Sequence, residues 1–177
     1  MFVQKLSENA KGVYIIAATP FTDDGALDLQ SLDTLTDFYL RCGVHGFTLL
    51  GMMGEAHKLT ADESITVVNR VIARAGDKQV IVGVSHAGLE NVRRLSHEAM
   101  IAGASGVMVA PPPGLKGDEG IYNYYAQVFQ ALGPDIPVVY QDYPQTTGVY
   151  LPVNVFERLV DDFQQLVMLK HEDAPGL

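Results

Sequence analysis

The sequence has few of the features that mark a secreted or membrane-bound protein. Cys42 is its one cysteine among 177 residues, which excludes an intrachain disulfide and a multi-cysteine metal site and favours a reducing compartment. The first residues lack the continuous apolar stretch of a signal peptide. No apolar run approaches the roughly 20 residues that cross a bilayer. We therefore expect a cytoplasmic protein with no membrane partner.

Basic residues are also scarce. Lys and Arg number 12 against 21 Asp and Glu, for a net charge of −9. Binding to nucleic acid requires clustered basic side chains, because they neutralise phosphates. Here the basic residues occur singly or in pairs such as Arg93 and Arg94, so nucleic acid is not an expected partner.

What the chain does have is a repeated pattern of short apolar runs. Each run is four to six residues long and apolar throughout, as is typical of strands buried on both faces of a parallel sheet. Their first residues lie 26 to 34 positions apart, the length of a strand plus a crossover helix. The six predicted strands are 13–18, 46–50, 80–84, 106–110, 136–140 and 166–170.

Helical periodicity fills the intervals between these runs. One predicted helix covers 28–42, with Cys42 on its apolar stripe and therefore expected to be buried. Thr60 and Glu63 form a capping box at the start of a second helix. Further helices are predicted over 91–102 and 118–132, and another opens at Leu151 and Pro152.

Repeated β/α units predict either a doubly wound sheet or a closed barrel. No glycine-rich nucleotide-binding motif follows a strand, while polar residues gather after every strand, where a barrel places its active site. We therefore predict a (β/α)8 TIM barrel. We expect residues 1–177 to form one barrel domain that covers about the first six strands and is incomplete at its C-terminus, because a barrel needs eight strands.

Lys170 is the most informative of the strand-end residues. It directly follows the apolar run 166–169, and apolar surroundings favour the neutral amine that attacks a carbonyl to form a Schiff base. The alternative is that Lys170 ends the strand in solvent or pairs with Glu172 or Asp173. Position alone leaves both interpretations open.

Other strand ends supply further candidates. Gly51 and Gly54 flank Met52 and Met53 in a turn whose backbone amides are suited to a carboxylate. The fifth strand ends at Tyr140 and Gln141, and candidate substrate contacts follow other strands at Thr19 and His86. Histidines 57, 86 and 171 lack metal-ligand spacing, so no metal is expected.

Five segments in order along the chain form a recognisable set: Ala18 to Gly25, Gly51-x-x-Gly-Glu55, Val82-Gly83, Pro144-x-x-Thr-Gly148 and Leu169-Lys170-x-x-Asp173. With these segments the chain resembles the dihydrodipicolinate synthase and N-acetylneuraminate lyase superfamily, the class I pyruvate-type aldolases. The resemblance covers nearly the whole chain. It implies a TIM barrel without metal or organic cofactor, assembled as a dimer or homotetramer. It also implies that Lys170 condenses with pyruvate or another 2-oxo acid, with the loop from Gly51 holding the carboxylate and Gly148 near the substrate.

The chain departs from this family at the proton relay. Met52 and Met53 replace the family's hydroxyl residues, and Thr146 stands where the family has an arginine. The catalytic tyrosine of the family aligns with Gln141 without a gap and with Tyr140 if one residue is inserted. Four residues are candidates for the missing proton transfer: His86, Gln141, His171 and Glu172.

These features predict a Schiff-base lyase, namely an aldolase, dehydratase or synthase, in the less defined group of the superfamily that includes sugar-acid enzymes. One alternative is a catalytically silent or regulatory binding subunit of the same fold. A second is 4-hydroxy-tetrahydrodipicolinate synthase, and a metal-dependent aldolase ranks third. Because strands would be left unpaired, we also expect a chain that is aggregation-prone or oligomeric.

Overall fold

The computed structural model describes residues 4–174, in which helices flank one parallel sheet. The strands are β1 (Tyr14–Ile16), β2 (Gly46–Leu49), β3 (Gln79–Gly83), β4 (Gly106–Val109), β5 (Val138–Asp142) and β6 (Leu166–His171). The helices are α1 (Leu29–Arg41), α2 (Ala61–Ala75), α3 (Leu89–Ala102), α4 (Asp118–Leu132), α5 (Pro144–Thr147) and α6 (Val153–Asp162), with a 3-10 turn at Ala56–Lys58. All six predicted strands are present.

The order of the strands distinguishes the two predicted architectures. Each strand pairs in parallel with its predecessor in the chain, so the order is β1-β2-β3-β4-β5-β6. A doubly wound sheet reverses direction at a switch point, whereas a barrel continues in one direction. The sheet is therefore six consecutive strands of a β/α barrel, which confirms the predicted fold class.

The predicted helices are present with small changes at their ends. The capping box is confirmed: the hydroxyl of Thr60 accepts from the N–H of Glu63 at 3.2 Å, and the Glu63 carboxylate accepts from the N–H of Thr60 at 2.8 Å. Pro152 is the N-cap of α6 rather than part of its first turn. The short helix α5 was not predicted. Within residues 4–174, every helix is too short or too polar to cross a lipid bilayer.

The prediction that Cys42 is buried is wrong. Cys42 is exposed because α1 ends at Arg41, and Cys42 is the C-cap that leads into the turn at Gly43. Gly43 has a φ of +81°, which carries the chain away from the helix axis. The apolar stripe of the helix therefore ends before Cys42.

The two faces of the sheet carry different clusters of apolar side chains. Since strand residues alternate between faces, Phe47 and Val107 pack outward against the helices in the larger cluster. Ile81, Met108 and Val139 lie on the inner face, where they form a second cluster with Leu6. The inner face is the interior of the barrel sheet, and the candidate site lies at its carboxyl end.

Candidate active site

Lys170 lies near the end of β6, opposite Gln141 of β5 in the strand register. Its side chain is 23% exposed and lines a cavity of about 260 Å³ on the inner face of the sheet. The neighbouring walls of this cavity are mainly apolar and include Ile16, Ile81, Met108, Val139 and Met168. Lys170 therefore lies at the edge of a mainly apolar interior.

A carboxylate and an amide accompany this lysine. The Oε1 atom of Glu172 forms an ion pair with the Nζ atom of Lys170. The same oxygen accepts a hydrogen bond of 2.9 Å from the Nε2 atom of Gln141, which is 2% exposed. The backbone N–H of Glu172 donates to the carbonyl of Asp142 at 2.8 Å and so continues the pairing of β5 with β6. Lys170, Glu172 and Gln141 thus form one connected group.

A second pair lies beside this group. The Nδ1 atom of His171 lies 2.7 Å from the Oδ2 atom of Asp142, so that the ring N–H donates to the carboxylate. Burial raises the pKa of the Asp142 carboxyl, although the hydrogen bond from His171 opposes the change. The Nδ1 atom of His171 is therefore already engaged and is separate from the lysine group.

The loop after β2 is held in an unusual backbone conformation. Leu50 and Glu55 have positive φ values of 54° and 52°, which non-glycine residues rarely adopt. The two glycines between them pack closely against β1 and the segment after it: a Cβ on Gly51 would lie 3.1 Å from the side chain of Ile16, and one on Gly54 would lie 3.1 Å from the carbonyl oxygen of Ala17. Strain of this kind is concentrated at binding sites.

The same loop presents backbone donors. Gly54 and Glu55 donate their N–H groups to carbonyls within the loop, whereas the N–H groups of Met52 and Met53 donate to no acceptor in the part of the chain that the structure describes. The Met53 side chain is 64% exposed. Thr19 is buried, and its hydroxyl donates to the carbonyl of Gly54 at 2.7 Å. Thr19 is thus placed to support the loop.

A second cavity, of about 390 Å³, opens at the carboxyl ends of the strands. It brings together several of the predicted residues. Its lining includes Gly51, Met52, His86 and Gln141, together with Ser85 and His57. Gln141 therefore connects this second cavity with the interior cavity, because its side chain bonds to the carboxylate that pairs with Lys170.

Tyr140 points to the other face of the sheet. Its ring is fully buried in the outer cluster and stacks on Tyr125 of α4, with 4.2 Å between the ring centroids. Burial raises the pKa of the Tyr140 hydroxyl. Because adjacent strand residues alternate between faces, the structure places Gln141, not Tyr140, next to the lysine group.

Two other predicted residues are exposed. Gly148 is the exposed C-cap of α5, with a φ of +67°, and is not among the residues that line either cavity. His86 is exposed, and its Nδ1 atom accepts from the N–H of Gly88 at 2.8 Å. No group of three or more His, Cys, Asp or Glu side chains within residues 4–174 is arranged to hold a metal ion.

Sequence reasoning missed part of the site. It named Glu172 but did not rank it above the histidines, it did not name Thr48 as a site residue, and it placed Ser85 only among the polar residues after the third strand; Thr48 and Ser85 line the two cavities. Strand alternation would have found Thr48, because Thr48 lies on the same face as the inward-facing Gly46. The signal for Ser85 is its position directly after a strand, where the polar residues gather.

The structure combines a parallel β/α barrel sheet, a lysine at the end of β6 and a glycine-flanked loop after β2. These features define a class, that of TIM-barrel proteins built around a strand-end lysine. A model of the dihydrodipicolinate synthetase family matches residues 9–173. The chain therefore belongs to the dihydrodipicolinate synthetase family, as its resemblance predicted.

Individual relatives agree with this assignment. A 4-hydroxy-tetrahydrodipicolinate synthase of Thermus thermophilus is 36% identical over 155 residues, which cover 86% of this chain and 51% of the relative. The chain thus spans about half the length of the curated relatives that it matches.

Solved structures show the same fold. A dihydrodipicolinate synthase from Rhodopseudomonas palustris has a TM-score of 0.94 and 50% identity, over 97% of this chain and 57% of that chain. A prophage protein of the same family from E. coli K12, solved in complex with pyruvate, has a TM-score of 0.85 and 27% identity, over 92% of this chain and 55% of that chain. These matches confirm the TIM-barrel prediction.

Proposed function

We propose that the chain acts as a class I lyase that forms a Schiff base between Lys170 and the keto group of a 2-oxo acid such as pyruvate. The observation that carries this proposal is the position of Lys170, near the carboxyl end of β6 and on the wall of a mainly apolar cavity. The pyruvate complex of the E. coli relative supports the choice of ligand. The expected compartment is the cytoplasm.

The loop after β2 is proposed to bind the substrate carboxylate. The N–H groups of Met52 and Met53 are available as donors, and backbone amides of a tight loop bind anions. Thr19 supports this loop through Gly54. Because neither methionine has a hydroxyl, the loop would hold the carboxylate without exchanging protons with the substrate.

Lys170 would then supply the chemistry. Its nitrogen attacks the keto carbon, and loss of water leaves an iminium that draws electrons from the neighbouring carbon. This electron withdrawal makes a C3 proton of pyruvate acidic and also permits cleavage or formation of a bond to C3. The proposed reaction therefore needs neither a metal nor an organic cofactor.

The polar side chains of the second cavity favour a hydroxylated substrate. His86, Ser85 and Gln141 line the cavity at the strand ends and offer hydrogen bonds to hydroxyl groups. This is consistent with the sugar-acid aldolases or dehydratases of the superfamily. The synthase alternative is supported by the name of the Thermus relative, and the silent-subunit alternative by the absence of hydroxyls at Met52 and Met53.

Reductive trapping tests the proposal. The protein is incubated with pyruvate and borohydride, and its intact mass and peptide map are measured, because reduction makes an imine permanent. We expect a single adduct on the peptide that contains Lys170, and none in Lys170→Ala. Lys116→Ala is the matched control, because Lys116 is an exposed loop lysine, and it should form the adduct normally.

The result separates the three functions. A Lys170 adduct followed by turnover of keto-sugar acids supports the lyase, whereas turnover confined to the synthase reaction supports the second alternative. An adduct without turnover of any 2-oxo acid supports the binding subunit. Absence of any adduct on folded protein would overturn the Schiff-base proposal.

A further inference from the structure

Glu172 occupies a position that the family resemblance does not assign. It lies two residues beyond Lys170, so the two side chains project from the same face of the extended chain. Its Oε1 atom touches the reacting nitrogen of Lys170 and also accepts a hydrogen bond from Gln141. With 30% of its side chain exposed, Glu172 is in contact with the lysine and also open to a ligand.

The other candidates for proton transfer are placed less well. The Nδ1 atom of His171 is engaged by Asp142, and Tyr140 is packed against α4 on the opposite face of the sheet. The Nδ1 atom of His86 accepts a backbone hydrogen bond in an exposed loop. Gln141 has an amide, which neither gains nor loses a proton near neutral pH. Among the residues that the structure describes, Glu172 is the titratable group in contact with the Lys170 amine.

We propose that Glu172 is the proton-transferring residue of this site and that Gln141 is a positioning residue that orients its carboxylate. The proposal rests on the proposed function of Lys170. It also explains the ion pair between Lys170 and Glu172, since an ammonium must lose a proton before its nitrogen can attack a carbonyl. The carboxylate of Glu172 accepts that proton.

The steps balance in protons and electrons. The ammonium of Lys170 gives one proton to Glu172, and the free amine forms a bond to the keto carbon of pyruvate. One proton moves from the nitrogen to the former keto oxygen, and Glu172 returns its proton to that hydroxyl. The C–O bond then breaks, water leaves, and a protonated imine remains beside the Glu172 carboxylate.

The same carboxylate then acts on the carbon chain. It removes a proton from C3, and the electrons of the C–H bond form a C=C bond while the C=N electrons move to nitrogen. The product is an enamine with protonated Glu172. Return of a proton from Glu172 to C3 reverses the step, so the site exchanges the methyl hydrogens of pyruvate with solvent.

Hydrogen exchange tests this inference. The 177-residue protein is incubated with pyruvate in D2O, and loss of the methyl signal is followed by proton NMR with the uncatalysed rate subtracted. We expect Glu172→Gln to lower the exchange rate by about 100-fold or more, the usual effect of removing a general acid–base. Glu157→Gln removes an exposed carboxylate of α6 and should leave the rate unchanged.

Exchange rates of Gln141 variants test the positioning role separately. Gln141→Leu is expected to lower exchange by less than Glu172→Gln does. The double variant should be no slower than Glu172→Gln alone, because the amide acts through the carboxylate. Additive losses in the double variant would overturn the positioning role.

Trapping with borohydride keeps this inference distinguishable from the function on which it rests. If wild-type protein forms the Lys170 adduct and Glu172→Gln exchanges at the wild-type rate, the role of Glu172 is overturned and the Schiff base stands. If wild-type protein forms no adduct, both are overturned. Should Glu172→Gln fail to fold by circular dichroism, Glu172→Asp decides: its retracted carboxylate should slow exchange at least about tenfold, and a wild-type rate overturns the proposal.

Discussion

At the scale of single residues, β5 and β6 place two pairs of polar residues side by side. Gln141 and Lys170 are opposite each other in the register, as are Asp142 and His171. Because neighbouring strand residues face opposite sides, the Glu172 side chain bonds to Lys170 and Gln141, while its backbone N–H donates to the Asp142 carbonyl. Within residues 4–174, Lys170 pairs with the Glu172 carboxylate, while the Asp142 carboxylate is buried and pairs with His171.

Stability should depend on pH through Asp142. Burial raises the pKa of its carboxyl in the folded state. A raised carboxyl pKa stabilises the fold below the unfolded pKa of about 3.9, and this contribution is lost as pH rises through the folded pKa. In Asp142→Asn, the free energy of unfolding should therefore fall less between pH 4 and pH 7 than in wild type, as measured by urea unfolding.

The control for this measurement is Asp161→Asn, which removes an exposed carboxylate from α6. It should retain the pH dependence of wild type. An equal fall in unfolding free energy for Asp142→Asn and wild type would contradict the prediction.

Tyr140 and Tyr125 allow a comparison between a buried hydroxyl without a hydrogen-bond partner and one that has a partner. The Tyr140 hydroxyl is buried and has no hydrogen-bond partner within residues 4–174, while the Tyr125 hydroxyl donates to the carbonyl of Val109 at 2.9 Å. Tyr140→Phe should raise the unfolding free energy by about 1 kcal/mol, and Tyr125→Phe should lower it by about 1 kcal/mol. Urea unfolding measures both, and equal destabilisation would argue against the unpartnered hydroxyl.

At the scale of elements, the end of β3 supports the loop that follows β2. The backbone of Leu50 passes so close to Gly83 that a Cβ there would lie 2.3 Å from the Leu50 carbonyl oxygen. Leu50 is also the residue at which the chain enters the strained loop, with its φ of 54°. The conformation of the candidate carboxylate-binding loop therefore depends on a glycine in the neighbouring strand.

Gly83→Ala should consequently disturb both the fold and the site. Backbone atoms cannot yield as a flexible side chain does, so we expect the unfolding free energy to fall by about 2 kcal/mol and pyruvate trapping to need a higher pyruvate concentration. Gly120→Ala in α4 is the control: its Cβ meets no atom closer than 3.9 Å, and it should add about 0.5–1 kcal/mol of stability. Normal trapping by Gly83→Ala would contradict the proposed dependence.

At the scale of the whole molecule, both edges of the described sheet are unpaired. Within residues 4–174, β1 pairs only with β2, and β6 pairs only with β5. The inner face between these edges carries apolar side chains around the Lys170 cavity. Exposed strand edges and apolar surface favour association.

We therefore expect this polypeptide to associate in solution, as a dimer or larger assembly. Light scattering over a range of protein concentrations measures its mass, which should exceed that of one chain at micromolar concentration. A well-behaved monomer of 19.2 kDa across the whole range would contradict this expectation.

Much of the architecture follows from local signals in the sequence. Apolar runs at regular spacing predict the six strands, the Thr60 and Glu63 capping box marks the start of α2, and Lys170 stands at a strand end whatever the tertiary packing. These features depend on residues close together in the chain, so periodicity and capping chemistry reveal them. The class of fold and the leading candidate for catalysis were therefore evident from the sequence by itself.

Only the tertiary structure decided which neighbours Lys170 has. A shift of one residue in register exchanges the two faces of a strand, so Tyr140 and Gln141 were equivalent candidates until the pairing of β5 with β6 placed the phenol against Tyr125 and the amide beside Glu172. The contact between Gly83 and Leu50 joins residues that are distant in the chain. Face and proximity are properties of packed strands, and for that reason the sequence alone left them undetermined.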